Sequence, residues 1–339
     1  MVERFSGCRV LSYCLMTNHF HLLLEVPPSP TTEDQKWGEF GVSEKELLYR
    51  LGGLYSRAYV AGVVEVLREA RMYADGKQQD FERLSPEDQA KSLAYGQTLL
   101  KEIFGRYTRR MHDLAEFMRA LLQRFTRWFN KQHGLRGTLW EDRFHSIIVE
   151  GGLASRTMAA YIDLNPVRAG ICEDAADYRW SSYGESVGGG RGQNIARSGL
   201  VRALHGHKGH EGTARAWAQG GISKEYRRLI ITEGVEAQTT DGTSTKTRRK
   251  GMKRSKAQAE LDRLVEEKAR DLKVAKVARC QVRYFTKGAV LGSRKFVDDF
   301  FIAQRERFSK KRQNGARRPR GTLKDLAGEI WSLRDLKDG

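Results

Sequence analysis

Tyr13-Cys14-Leu15-Met16-Thr17-Asn18-His19-Phe20-His21-Leu22-Leu23-Leu24-Glu25 is the stretch on which the reading of the fold turns. The run from Val10 to Met16 reads as one strand and the run from His19 as a second, with Thr17-Asn18 a short polar turn between them. That pattern predicts a β-hairpin. Alternate residues of a strand share a face. His19 and His21 therefore project together, and Phe20 points to the opposite, buried side. Two imidazoles on a rigid strand make half of a divalent-metal site. Spacing alone is equally compatible with surface histidines, or with core histidines holding one hydrogen bond each.

Composition sets the frame around this hairpin. A chain of 339 residues suffices for one large or two ordinary domains, and its 40% hydrophobic content is a globular value. From Asp241 to Gly339 there are 28 Lys/Arg against 13 Asp/Glu, a net of +15 out of +18 for the whole chain. A nearly neutral body with a basic C-terminal region fits a polyanionic partner such as nucleic acid. No apolar run is long enough to span a bilayer and no signal peptide precedes the hairpin, so no membrane is expected. Cys8, Cys14, Cys172 and Cys280 lie far apart without a C-x-x-C pair. That excludes a zinc-finger framework and suits a reducing, intracellular setting. A P-loop, an H-E-x-x-H helix and a Gly-x-Ser-x-Gly elbow are absent.

Farther along, the prolines between Pro27 and Pro30 break the second strand. From about Ser43 to Arg110 the apolar spacing is helical, with Ser85-Pro86 opening one helix. Leu114 to His133 reads as a long amphipathic helix. Its polar face carries Arg119, Arg124, Arg127 and Lys131; with Arg143 these either grip phosphates or form a solvated face. Trp128, Trp140 and Trp180 either stack on bases or pack, and packing is expected for two of them. Glu141 and Asp142 either orient a ligand histidine or form surface ion pairs. Ser146 to Val149 reads as a strand, and a helix from about Gly152 to Leu164 stops at Asn165-Pro166. The glycines of 188–192 read as a linker, and His205, His207 and His210 as an exposed loop or a weak metal tract. Helices are expected over 253–280 and 294–312, followed by a basic tail from Lys310 to Arg320.

In Ala160-Tyr161-Ile162-Asp163-Leu164-Asn165-Pro166-Val167-Arg168-Ala169-Gly170, Tyr161 and Asn165 are four apart and share a helix face. An amide oxygen can complete a hard-metal site begun by two imidazoles, with the phenol one turn away. Taken alone, the pair reads more simply as a core tyrosine beside an asparagine helix stop, and Arg168 as a helix-end cap.

Combined with the histidine pair, the chain resembles the single-tyrosine HUH transposases, most closely the REP-associated tyrosine transposases. The likeness is carried by Leu11 to Glu25, Arg124-Phe125-Thr126-Arg127-Trp128-Phe129-Asn130, Leu139-Trp140-Glu141-Asp142-Arg143-Phe144, Tyr161 to Gly170, and Tyr178-Arg179-Trp180-Ser181-Ser182-Tyr183. A looser likeness covers Val282-Arg283-Tyr284-Phe285 and Leu291 to Val297.

The resemblance implies an α+β fold: a ferredoxin-like antiparallel sheet with helices on one face, formed by 1–28 and 112–187. It implies a helical insertion at 29–111, a linker and His-rich, basic stretch at 188–252 and a basic helical C-terminal region at 253–339. By the same resemblance Tyr161 is the nucleophile, and His19, His21 and Asn165 hold Mg²⁺ or Mn²⁺. The partner is single-stranded or hairpin DNA, a homodimer is compatible, and the setting is the cytoplasm, with the nucleoid. Imidazole ligands make Mn²⁺ suitable and leave zinc open. The chain departs from such relatives in starting after their first strand and helix, which predicts an exposed sheet edge. Two alternatives therefore stand beside the transposase: a structured-DNA-binding protein without activity, and a metal hydrolase that attacks with water.

Overall fold

The computed structural model describes residues 1–28, 41–206, 214–219, 221–234, 237–241, 244–249, 252–264, 289–317 and 330–333. Packing divides the chain into two units, Met1–Arg9 with Glu25–Arg143, and Val10–Leu24 with Phe144–Gly339.

The first unit is built of helices α1 (Val2–Ser6), α2 (Glu44–Leu54), α3 (Arg57–Ala74), α4 (Pro86–Thr108) and α5 (Leu114–His133). Ser43, Ser56, Ser85 and Asp113 each accept a backbone N–H from the first turn of the helix they precede, which satisfies a donor the helix cannot. Its core gathers Phe5, Leu47, Leu51, Leu67, Leu100, Phe104 and Met111. Burying each such side chain stabilises by about 1.5–3 kcal/mol. At Gly96 the backbones of α3 and α4 touch: an added Cβ would lie 2.7 Å from the Ala74 Cα. From Glu44 to Thr108 the chain is mainly helical, as its periodicity predicts.

The expected grouping of 1–28 with 112–187 differs from the observed one, because α5 is fastened to the helices before it. Arg124 donates to the Leu54 carbonyl at 2.7 Å and Arg110 pairs with Glu116 at 3.0 Å.

The second unit opens with β1 (Arg9–Leu15) and β2 (Phe20–Glu25), a hairpin closed by Met16 N–H donating to the His19 carbonyl at 2.8 Å. Then come β3 (Ile148–Val149), α6 (Leu153–Asp163), α7 (Asn165–Ala169), α8 (Ser182–Gly188), α9 (Gln193–His205), α10 (Ala214–Gln219) and α11 (Ile222–Gly234). A second hairpin, β4 (Ala237–Asp241) and β5 (Ser244–Arg249), leads to α12 (Arg254–Leu264), β6 (Val290–Gly292), α13 (Arg294–Ala303) and β7 (Trp331–Leu333). Strand β6 pairs in parallel with β3 and antiparallel with β7. The class is α+β. Among the described residues the strands form two hairpins and one mixed three-stranded sheet, in place of a single antiparallel sheet.

Three expectations are corrected here. Described residues of 188–252 pack into the fold where a linker was expected: Leu200, Val201, Leu204, Tyr226, Leu229 and Ile230 are buried in the same core as α6. Gly189, at φ 78°, ends α8 in the left-handed conformation that glycine adopts without strain, so the glycine run is a turn between α8 and α9. The C-terminal region is not purely helical, since β6 and β7 complete the mixed sheet, and α13 ends at Ala303, well short of 312. The helix expected over 253–280 is described only to Leu264; its remainder, Cys280 and the segment Val282 to Phe285 lie outside the described residues.

The edge of β1 is not exposed. Leu15 N–H donates to the Trp180 carbonyl at 2.9 Å and Tyr13 N–H to Ser182 Oγ at 2.8 Å. Gly199 of α9 lies against the Val10 and Leu11 carbonyls, where an added Cβ would come within 2.7 Å of both oxygens. The Tyr13 and Leu15 donors on the outer side of β1 are thus taken up by other elements of the unit. Among the described residues no helix is long and apolar enough to cross a membrane.

Candidate metal and tyrosine centre

The hairpin fixes the two histidines. His19 is exposed at the turn and His21 is half-buried in β2. Their rings lie 5.0 Å apart at 90° to one another. Burial, reinforced by the neighbouring His19, pushes the His21 imidazole down to about 4. His21 is therefore neutral at pH 7 and keeps a lone pair for a cation. His19 Nδ1 donates to Asn18 Oδ1 at 2.8 Å, which leaves Nε2 as the acceptor nitrogen. Asn18, read from the sequence only as a turn residue, thus fixes the tautomer and ring orientation of His19. Glu141 and Asp142, which were candidates for that role, are exposed and belong to the first unit.

Tyr161 comes to this hairpin from 140 positions away. Its ring meets that of His21 edge-on at 6.2 Å. Helix α6 is buried along nearly its whole length, and Tyr161 itself is 2% exposed. Burial pushes the phenol up, while the Arg168 guanidinium, 4.6 Å from the ring centroid, opposes that shift. Two residues on, Asp163 is fully buried. It accepts from Tyr226 Oη at 2.5 Å and from Tyr183 N–H at 3.0 Å, and burial pushes its carboxyl up to about 7. These bonds hold the tyrosine helix between α8 and α11.

Asn165 follows one turn after Tyr161, as the spacing predicts. Its Nδ2 donates to the Tyr161 and Ile162 carbonyls at 3.1 and 3.2 Å, so the amide caps the end of α6. That use occupies the nitrogen and leaves Oδ1 as the atom suited to a cation. Among the described residues no three His, Cys, Asp or Glu side chains gather as a metal-binding group. The candidate donor set is two imidazole nitrogens, whose rings lie together, and the Asn165 amide oxygen at the end of α6. It fits a divalent ion of intermediate softness, such as Mn²⁺, better than Mg²⁺.

The other site residues expected from the sequence belong to the other unit. Arg119, Arg124, Arg127, Lys131 and Arg143 all belong to the first unit, whereas both histidines, Tyr161 and Asn165 belong to the second. Arg119 pairs with Glu116 at 2.5 Å, and Arg124 is committed to the Leu54 carbonyl. Arg127, Lys131 and Arg143 are exposed. Of the three tryptophans only Trp140 packs, with Nε1 donating to Thr126 Oγ1 at 3.0 Å; Trp128 and Trp180 are exposed. The pairing of His205 with Glu225, at 3.3 Å, replaces the expected loop, and His207 and His210 lie outside the described residues. Burial pushes the thiols of Cys14 and Cys172 up to about 12 and about 11, which makes both poor nucleophiles.

No family model, curated protein or solved structure shows a significant match to this chain.

Proposed function

We propose that this chain is a metal-dependent, single-tyrosine transposase that cleaves and rejoins single-stranded DNA beside hairpins through a 5′-phosphotyrosine link. The observation that carries this reading is the meeting of the His21 and Tyr161 rings, with His19 5.0 Å from His21. Nothing local brings the imidazole of a β2 residue to a phenol 140 positions away. The ferredoxin-like arrangement belongs to the same proposal, with the β1–β2 hairpin as part of its sheet.

In this reading His19, His21 and Asn165 Oδ1 hold Mn²⁺ or Mg²⁺, which when bound neutralises charge on the non-bridging phosphate oxygens. Tyr161 supplies the attacking oxygen. The phosphotyrosine bond conserves the energy of the broken phosphodiester, so a 3′-hydroxyl can reverse the attack and join strands without ATP. The basic C-terminal region adds sequence-independent affinity for DNA.

The test is a labelled hairpin oligonucleotide incubated with the protein and Mn²⁺. A covalent protein–DNA adduct is expected, lost in Tyr161→Phe and in His21→Ala. The 2% exposure of Tyr161 favours a second reading, a structured-DNA-binding protein that does not cut. Tight binding by the wild-type chain with no adduct under any divalent ion would select that one. Cleavage that survives Tyr161→Phe would point instead to attack by water.

A further inference from the structure

Arg168, at the end of α7, reads from the sequence as a helix-end cap. Its Nη1 does donate to the Tyr161 carbonyl, at 3.3 Å. Yet the guanidinium also lies 4.6 Å from the centroid of the Tyr161 ring, whose edge meets His21. The buried phenol therefore has His21 beside it and a permanent cation across its face. An aromatic face and a carbonyl are modest partners for a guanidinium. A phosphate oxygen is a better one, because charge-assisted bonds are about twice as strong as neutral ones and the planar fork matches phosphate geometry.

We propose that Arg168 is a phosphate-binding residue of the Tyr161 site, resting over the phenol ring until the scissile phosphate draws it off and uncovers the nucleophile. The inference rests on the transposase reading. In the step it serves, the phenolic oxygen forms a bond to phosphorus and the bond from phosphorus to the 3′-oxygen breaks. The phenolic proton passes to solvent, and the departing 3′-oxygen takes a proton from solvent. Arg168 keeps its proton throughout, since guanidinium does not titrate in this range. It neutralises charge on a non-bridging oxygen and connects arrival of the substrate to exposure of a residue that is otherwise closed off.

The test compares wild type, Arg168→Met, Arg168→Lys and Tyr161→Phe as full-length chains. The Met variant retains an apolar cover over the ring without the charge. Adduct formation with Mn²⁺ is expected to slow about 100-fold in Arg168→Met, the usual order for losing one preorganised donor, and to stay within about tenfold in Arg168→Lys. A second readout needs neither metal nor catalysis. In EDTA, the Tyr161→Phe chain is expected to bind the hairpin oligonucleotide several-fold more tightly than the Tyr161→Phe/Arg168→Met double variant. If Arg168→Met melts early, Arg168→Gln, which keeps a donor for the Tyr161 carbonyl, replaces it in both assays. An adduct that forms at the wild-type rate in Arg168→Met and is absent in Tyr161→Phe overturns the role of Arg168 and leaves the transposase reading standing. Absence of any adduct from wild type overturns both.

Discussion

Helices α5 and α6 were each expected to carry functional residues, and they stand at opposite extremes of burial. Along α5 only Phe117, Met118 and Ala120 are buried, and Trp128 on its C-terminal half is 56% exposed. Along α6 every residue from Thr157 to Asp163 is buried. The difference shows how far residue type underdetermines role. On the exposed helix, Arg124 turns out to be architectural because it meets the Leu54 carbonyl, while Arg127 and Lys131 lie exposed at the surface. On the buried helix even a carboxylate must be built in, and Asp163 has its hydrogen-bond partners on two further helices.

That contrast can be broken or sharpened by measurement, and the largest effect belongs to Asp163. Its folded pKa of about 7 lies above the ordinary 3.8, so the fold favours the protonated form. The corresponding stability is fully present below pH 4 and is lost as pH rises through 7. Relative to Asp163→Asn, which does not titrate, the wild type is expected to lose up to about 4 kcal/mol between pH 4 and pH 7. Urea unfolding at both pH values reads this directly, and parallel curves for the two proteins would remove the buried carboxyl from the explanation. A smaller effect is expected on α5. Arg124→Ala should cost about 1 kcal/mol by stripping the Leu54 carbonyl of its donor. If thermal melting shows no loss, that bond is not structural. The smallest stability change, within about 0.5 kcal/mol, is expected for Arg127→Ala and Lys131→Ala. Each should instead lower the salt dependence of DNA binding by about one counterion, and an unchanged salt slope would exclude that face from the DNA interface.

The hairpin was legible because its alternation and polar turn are local signals, and the Tyr161–Asn165 spacing was legible because a helix repeats every 3.6 residues. What escaped was non-local. Strand β3 falls in the run Ser146 to Val149 that the sequence marks as a strand, but its partner β6, three residues long, shows no period and lies more than 140 positions away. The 188–192 glycines look like a linker by composition, and only the burial of Leu200, Val201 and Tyr226 beyond them reveals a turn within a core. Arg168 and Asn18 carry no motif of their own; each acquires meaning from the ring it touches. Assignment of α5 to the first unit depends on single hydrogen bonds that no periodicity encodes.

The closure of β1 by Trp180, Ser182 and Gly199 has a consequence for assembly. A strand already occupied on its outer side cannot serve as a template for another chain, whether in ordered pairing or in aggregation. Among the described residues β2 has only β1 as a strand partner, so a second copy that joins by extending this sheet must approach along β2. That is the strand bearing His21, and such a union would bring two histidine-bearing hairpins into one continuous ribbon.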